Sequence, residues 1–170
     1  EERELGNTTP YPVELWSLLA EARDKGVEAM AMEVSSHALA EHRCEYVEFD
    51  AGVFTNLTQD HLDFHPTLDD YFAAKRRLFE IGAPRMIVNA DDEYGRRLAE
   101  EFGAMTFSAS GAPADYRATG IEFDARRTRF TLHAPDGEHE VVLPLPGEYN
   151  VANALAAVAA VEPPGVGAAQ

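Results

Sequence analysis

The chain has 170 residues, 45% of them hydrophobic, enough for one well-buried core, since a single domain commonly runs to about 100–200 residues. Its 30 acidic side chains against 14 basic ones give a formal net charge of −16, which disfavours nucleic acid and anionic membrane as partners, because both need Lys and Arg to neutralise phosphate. Cys44 is the single cysteine and cannot form an intrachain disulfide, no run of about 18 apolar residues occurs, and EERELGNTTP lacks a signal-peptide core, so a cytoplasmic protein without membrane insertion is expected.

Pro12 suits a first helical turn, and VELWSLLAEARDKG sets Val13, Trp16, Leu19 and Ala20 at helical spacing before Gly26, so a helix is expected over about residues 12–25. VEAMAMEV, from Val27 to Val34, reads as a strand and SSHALAEHR as a short turn or helix after it. YVEFD and AGVFTNL are strand candidates around Gly52. Thr67 is placed to cap a helix beginning near Leu68, RMIVNA reads as a strand, DDEYGRRLAEEFG as a helix opened by Asp91 and Asp92, and AMTFS as a further strand. Strands alternating with helices imply a mainly parallel, doubly wound α/β sheet.

Beyond SGAPAD the period changes to two. YRATGIEFD, TRFTLHA and EHEVVLPL alternate apolar with polar, and Pro135, Asp136 and Gly137 supply a hairpin turn between the last two, which predicts a small antiparallel β appendage before PGEYNVANALAAVAAV returns to helix.

Chemistry concentrates in TNLTQDHLDFH, Thr55 to His65, a stretch too rich in imidazole and carboxylate for an ordinary loop, which draws on Gly, Pro, Ser and Asn. In the helix that follows, the apolar stripe is Leu68, Tyr71, Phe72, Leu78 and Phe79, and Lys75 completes it. Its stem either snorkels past the aromatics to solvent, or crowding lowers the pKa so that a neutral amine can attack carbon dioxide and become an anionic carbamate, an oxygen ligand for Mg²⁺. His61 could share that metal, while Asp63 and His65 either brace the loop or join as ligands. Glu33 ends a predicted strand, at the edge where open α/β sheets gather ligands, or simply faces solvent. Cys44 reads as a small buried apolar side chain.

MEVSSHALAEHR, VFTNLTQDHLDFH, YFAAKRRLF, NADDEYG and LPGEYNVANALAA follow one another between Asn7 and Ala157. In that order they resemble the central, ATP-binding domain of the Mur ligase family, closest to its tripeptide-synthetase (MurE) branch, with a P-loop NTPase-like fold. The resemblance implies an acid–amino-acid ligase of peptidoglycan precursor synthesis. It would use ATP to activate UDP-N-acetylmuramoyl-L-alanyl-D-glutamate as an acyl phosphate, which the amine of diaminopimelate or lysine then attacks. Other Mur-type ligases, the folylpolyglutamate and cyanophycin synthetases, are the alternative, as is a noncatalytic module.

By the same resemblance, Glu33 is a ligand of one Mg²⁺, and His61 with carbamylated Lys75 holds a second. Thr8, Thr9, Ser35 and Arg43 contact the UDP-muramoyl peptide, and Asn56 and Asn150 lie near the nucleotide. Glu41 stands where relatives often carry glutamine, a departure that sets a negative charge beside an anionic substrate. The phosphate-cradling G-x-x-x-x-G-K-[ST] loop does not occur, since Lys25 and Lys75 are the only lysines and neither follows a suitable glycine. The expectation is therefore a central domain over 1–170, truncated at both ends, without phosphate loop, N-terminal UDP-binding domain or C-terminal domain, and inactive by itself.

Overall fold

In the computed structural model, which describes residues 6–58 and 64–161, Pro12 opens helix α1 (Pro12–Asp24) as its spacing predicts. The buried face differs from the expected one. Leu15 is the buried residue of α1, whereas Val13 is 82% and Trp16 46% exposed. The segment Val27–Val34 forms no strand and stays largely exposed, because β-propensity favours an extended backbone but cannot supply the neighbour whose ladder defines a strand. Tyr46–Asp50 likewise forms none. Residues 41–46 turn instead, with Val47 N–H donating to the Cys44 carbonyl at 3.0 Å, and buried Val47 anchors the exit.

Two compact units divide the chain, Glu1–Glu48 with Gln59–Ile81, and Phe49–Thr58 with Gly82–Gln170. The first holds α1, the short helix α2 (Ser36–Ala40) and α3 (Leu68–Ile81), with α2 packed on α3. Thr67 caps α3 as expected: its hydroxyl accepts from Asp70 N–H at 3.1 Å and donates to the Asp70 carboxylate at 2.7 Å, a reciprocal arrangement that satisfies an otherwise orphaned N–H. Tyr71, Phe72, Ala74 and Phe79 are buried, while Leu68 at the first turn is 37% exposed.

The second unit contains one six-stranded sheet in the order β1 (Ala51–Phe54), β2 (Arg85–Asn89), β3 (Met105–Ser108), β4 (Tyr116–Phe123), β5 (Thr128–Ala134) and β6 (Gly137–Leu143). The first three pairings are parallel and the last two antiparallel, so the expected appendage continues the sheet through the β3–β4 ladder. Ala134 pairs with Gly137 across a two-residue turn of Pro135 and Asp136. Consecutive Ile87 and Val88 are both fully buried, which on a pleated strand means that both faces of β2 are covered. Helix α5 (Glu148–Val161) packs Val151, Leu155, Ala156 and Ala159 into a core with Ile87, Phe107, Tyr116, Phe130 and Leu132. Helix α4 (Glu93–Phe102), whose Leu98 is fully buried, also packs on β2.

The two aspartates after β2 divide the work expected of both. Asp92 caps α4, accepting from Tyr94 N–H at 2.8 Å and Gly95 N–H at 3.1 Å, and Gly103 closes that helix at a left-handed φ of 65°. Asp91 turns to the segment after β3, accepting from the hydroxyls of Ser108 and Ser110 at 2.7 and 2.6 Å and from the N–H groups of Ala109 and Ser110 at 2.8 and 3.1 Å. Desolvation pushes the Asp91 carboxyl up, but these bonds outweigh it and hold its pKa below the usual carboxylate value.

Gly95 lies where α4 crosses the end of β2, and a Cβ there would overlap the Asn89 carbonyl oxygen and stand 2.9 Å from its carbon. Gly95→Ala is therefore expected to cost at least about 1–3 kcal/mol, read as a lower urea midpoint. Asp91→Asn should cost about 1 kcal/mol at pH 7, a figure already lowered for the solvent reaching this group. Because the folded pKa of Asp91 is depressed, its contribution is complete above the unfolded value of about 3.9 and is lost as pH falls through the lower folded value. Urea midpoints of the two proteins should accordingly converge on acidification below about pH 4; a gap that stays constant would show that ionised Asp91 is not what stabilises the loop.

Candidate functional site

Thr9 is fully buried, so both halves of its hydroxyl need partners. The O–H donates to the Glu33 carbonyl at 3.0 Å, and the oxygen accepts from Ser35 N–H at 2.9 Å, with Ser35 Oγ 3.4 Å away. Ser35 in turn caps α2, its Oγ accepting from Ala38 N–H at 3.2 Å. The segment before Pro10 and the segment before α2 are thus tied together at the residues that the sequence singles out. Thr8 and the Glu33 side chain face solvent beside this knot.

Arg43 is 7% exposed, and a guanidinium so buried needs acceptors for its N–H groups. Nη1 donates to the Thr9 carbonyl at 2.8 Å, Nε and Nη2 both donate to Glu41 Oε2 at 2.8 and 2.6 Å, and the Tyr11 ring lies over Cζ at 4.1 Å from its centre. Three different acts hold this cation in place: a carbonyl dipole, a carboxylate and an aromatic face.

Lys75 is half-buried in α3, with Nζ 5.2 Å from the centre of the Tyr71 ring. His65 stacks on the same Tyr71 ring at 5.0 Å and 16°, and His65 Nε2 lies 2.9 Å from Ser36 Oγ, linking α3 to α2. His65 is 4% exposed and braces the end of the loop, while Phe64 meets His37 at 4.1 Å and the edge of His65 at 4.9 Å. His61 and Asp63 lie outside the described residues.

Asn56 and Asn150 belong to the second unit. Asn56 is exposed just past β1, in a stretch fixed on both sides: Asn89 Nδ2 donates to the Thr55 carbonyl at 2.8 Å, and Leu57 N–H donates to Asp92 Oδ2 at 3.0 Å. Asn150, in the first turn of α5, donates through Nδ2 to the Pro146 carbonyl at 2.7 Å and so closes the turn that enters the helix.

Sequence reasoning missed Tyr11, the engagement of Glu41, and the hold of Asn89 and Asp92 on Thr55–Leu57. Arg43 is flanked two residues away by acids on both sides, Glu41 and Glu45, which was the available signal. Spacing could not choose between them. Glu45 turns instead to Arg77 Nη2 at 3.1 Å and His42 Nδ1 at 2.8 Å, and its hydrogen bond to His42, with help from Arg77, holds its carboxyl below the usual range.

The Mur ligase middle domain matches this chain over residues 2–161. The chain is 47% identical over 164 residues to the UDP-N-acetylmuramoyl-L-alanyl-D-glutamate–2,6-diaminopimelate ligase of Streptomyces coelicolor, covering 94% of itself and 32% of that relative. A solved structure of a ligase of the same name superposes with a TM-score of 0.82 at 29% identity, over 91% of this chain and 34% of that one. A MurF ligase of Thermotoga maritima, solved in complex with ADP, shares the fold at a TM-score of 0.64 and 17% identity, over 91% of this chain and 36% of that one. The chain spans about a third of the length of the curated relatives it matches. Because the family match runs from before Thr8 and Thr9 to the end of α5, and so takes in the knot, the lysine helix and the whole sheet, the chain belongs to the Mur ligase family, as its middle domain.

Proposed function

We propose that this chain is part of an ATP-dependent ligase that adds a third amino acid, diaminopimelate or lysine, to UDP-N-acetylmuramoyl-L-alanyl-D-glutamate in the cytoplasm. The observation that carries the reading is the knot in which Thr9, Glu33, Ser35 and Arg43 meet, although 24, 26 and 34 positions separate Thr9 from its three partners. A buried, fixed guanidinium near the exposed Thr8 suits an anionic peptide substrate, and it supplies cation locally where the chain as a whole is strongly acidic.

In the reaction, a carboxylate oxygen of the D-glutamyl end attacks the γ-phosphorus of ATP and ADP leaves. The amine of the incoming amino acid then attacks the acyl carbon, loses a proton and expels phosphate. Arg43, Thr8 and Ser35 orient the muramoyl peptide while buried Thr9 fixes the backbone that carries them, since holding the acceptor in line lowers the barrier through positioning. Asn56 and Asn150 lie toward the nucleotide. Lys75, held against Tyr71, attacks carbon dioxide as a neutral amine, forming an N–C bond and releasing a proton, which replaces a cation by a carboxylate at that point of α3.

Glu33 would hold one Mg²⁺, and His61 with Lys75 as its carbamate would hold a second; carboxylate-type oxygens suit this hard cation, which is satisfied by one or two carboxylates and water. The anion at Lys75 is the feature on which the second site depends, since an ammonium cannot ligate a cation. The metal, when bound, neutralises charge between the phosphates and the acceptor carboxylate.

The test uses a ligase containing this domain. ¹³C-bicarbonate should give a carbamate resonance that Lys75→Ala removes, with ligation falling about 10²–10³-fold in that variant and the fold retained by circular dichroism. Lys75→Arg should fail equally, because a guanidinium is not carbamylated and brings positive charge to the metal. No resonance together with near wild-type turnover of Lys75→Arg would reduce Lys75 to a lysine snorkelling past Tyr71.

A further inference from the structure

We propose that Glu41 is an internal substitute for the substrate carboxylate, occupying Arg43 until the D-glutamyl end of the muramoyl peptide displaces it. The proposal rests on the reading of Arg43 as a substrate-binding residue. Arg43 is buried and held from two directions that do not involve Glu41, by the Thr9 carbonyl and by the Tyr11 ring. Its position therefore does not need the acid. Glu41 nevertheless takes the Nε/Nη2 edge of the guanidinium, one oxygen accepting from both nitrogens in a charge-assisted contact at an edge that a substrate carboxylate could also use. The Glu41 side chain is 40% exposed while that of Arg43 is 7% exposed, so the acid is the partner that can swing away to water and leave the cation in place.

An arriving carboxylate of the same chemistry must replace the acid or approach a guanidinium whose charge it already neutralises. Either way, Glu41 weakens ground-state binding without touching the reacting atoms. Glu41 is thus a positioning residue that sets affinity for one substrate.

The measurement is KM and kcat for UDP-N-acetylmuramoyl-L-alanyl-D-glutamate, with ATP and amino acid saturating, in a full-length ligase carrying this domain. Glu41→Gln and Glu41→Ala should each lower KM about 2- to 5-fold, the value of a half-exposed ion pair, with kcat within about two-fold of wild type. Arg43→Ala should raise KM. If Arg43→Ala raises KM while both Glu41 variants leave it unchanged or raise it, or lower kcat in parallel, Glu41 only supports the arginine and the proposal is overturned. If Arg43→Ala leaves KM unchanged, the assignment of Arg43 to the substrate fails, and the proposal with it. Titration of the dipeptide substrate by calorimetry gives the same comparison for any variant that turns over too slowly.

Discussion

The buried hydroxyl of Thr9 is the constraint on which the candidate site depends. It has one proton to give and an oxygen that must accept, and the Glu33 carbonyl and Ser35 N–H fill both roles from the other side of α1 in the chain. That pair of bonds fixes the backbone of Thr9, and the Thr9 carbonyl then becomes the acceptor for Arg43. Removing the hydroxyl would leave an unsatisfied carbonyl and N–H, a larger loss than the net value of two hydrogen bonds, because the desolvated groups would keep their penalty. The serine that receives the other end of this arrangement also caps α2, so the helix start and the knot share one residue.

A similar economy governs the second unit. Asp92 uses one carboxylate oxygen to satisfy the first turn of α4 and the other to hold Leu57 N–H, so the same side chain starts a helix and fixes the stretch after β1. Asn89 secures the neighbouring carbonyl of Thr55. Both residues sit at the carboxyl end of β2 and hold the stretch that leaves the carboxyl end of its parallel neighbour β1, the edge at which α/β sheets present their ligand-binding loops.

Much of this architecture was legible in local chemistry. The Thr67 cap, the Asp92 and Gly103 bounds of α4, the two-residue turn after Ala134 and the switch from period 3.6 to period 2 each rest on interactions within a few residues. Legibility ended where a partner was required. Val27–Val34 has the composition of a strand, yet a ladder needs a second chain segment, and none serves it among the described residues. The stripe on α1 failed for the same reason, since spacing identifies an apolar face but burial depends on what meets it, and Leu15 is the residue that is met. At the site, order of motifs located Thr9, Ser35 and Arg43, but only packing could reveal that Tyr11 covers the guanidinium and that Glu41, rather than Glu45, faces it.

The extended segment between α1 and α2 has a practical consequence for anyone handling this polypeptide. Val27 and Met30 are 50% and 51% exposed on a stretch of backbone that forms no ladder among the described residues. A stretch of this kind is a general hazard for edge-to-edge pairing, which the charges of Glu28 and Glu33 near its ends oppose. High salt screens that repulsion, so concentrated stocks keep best at low ionic strength.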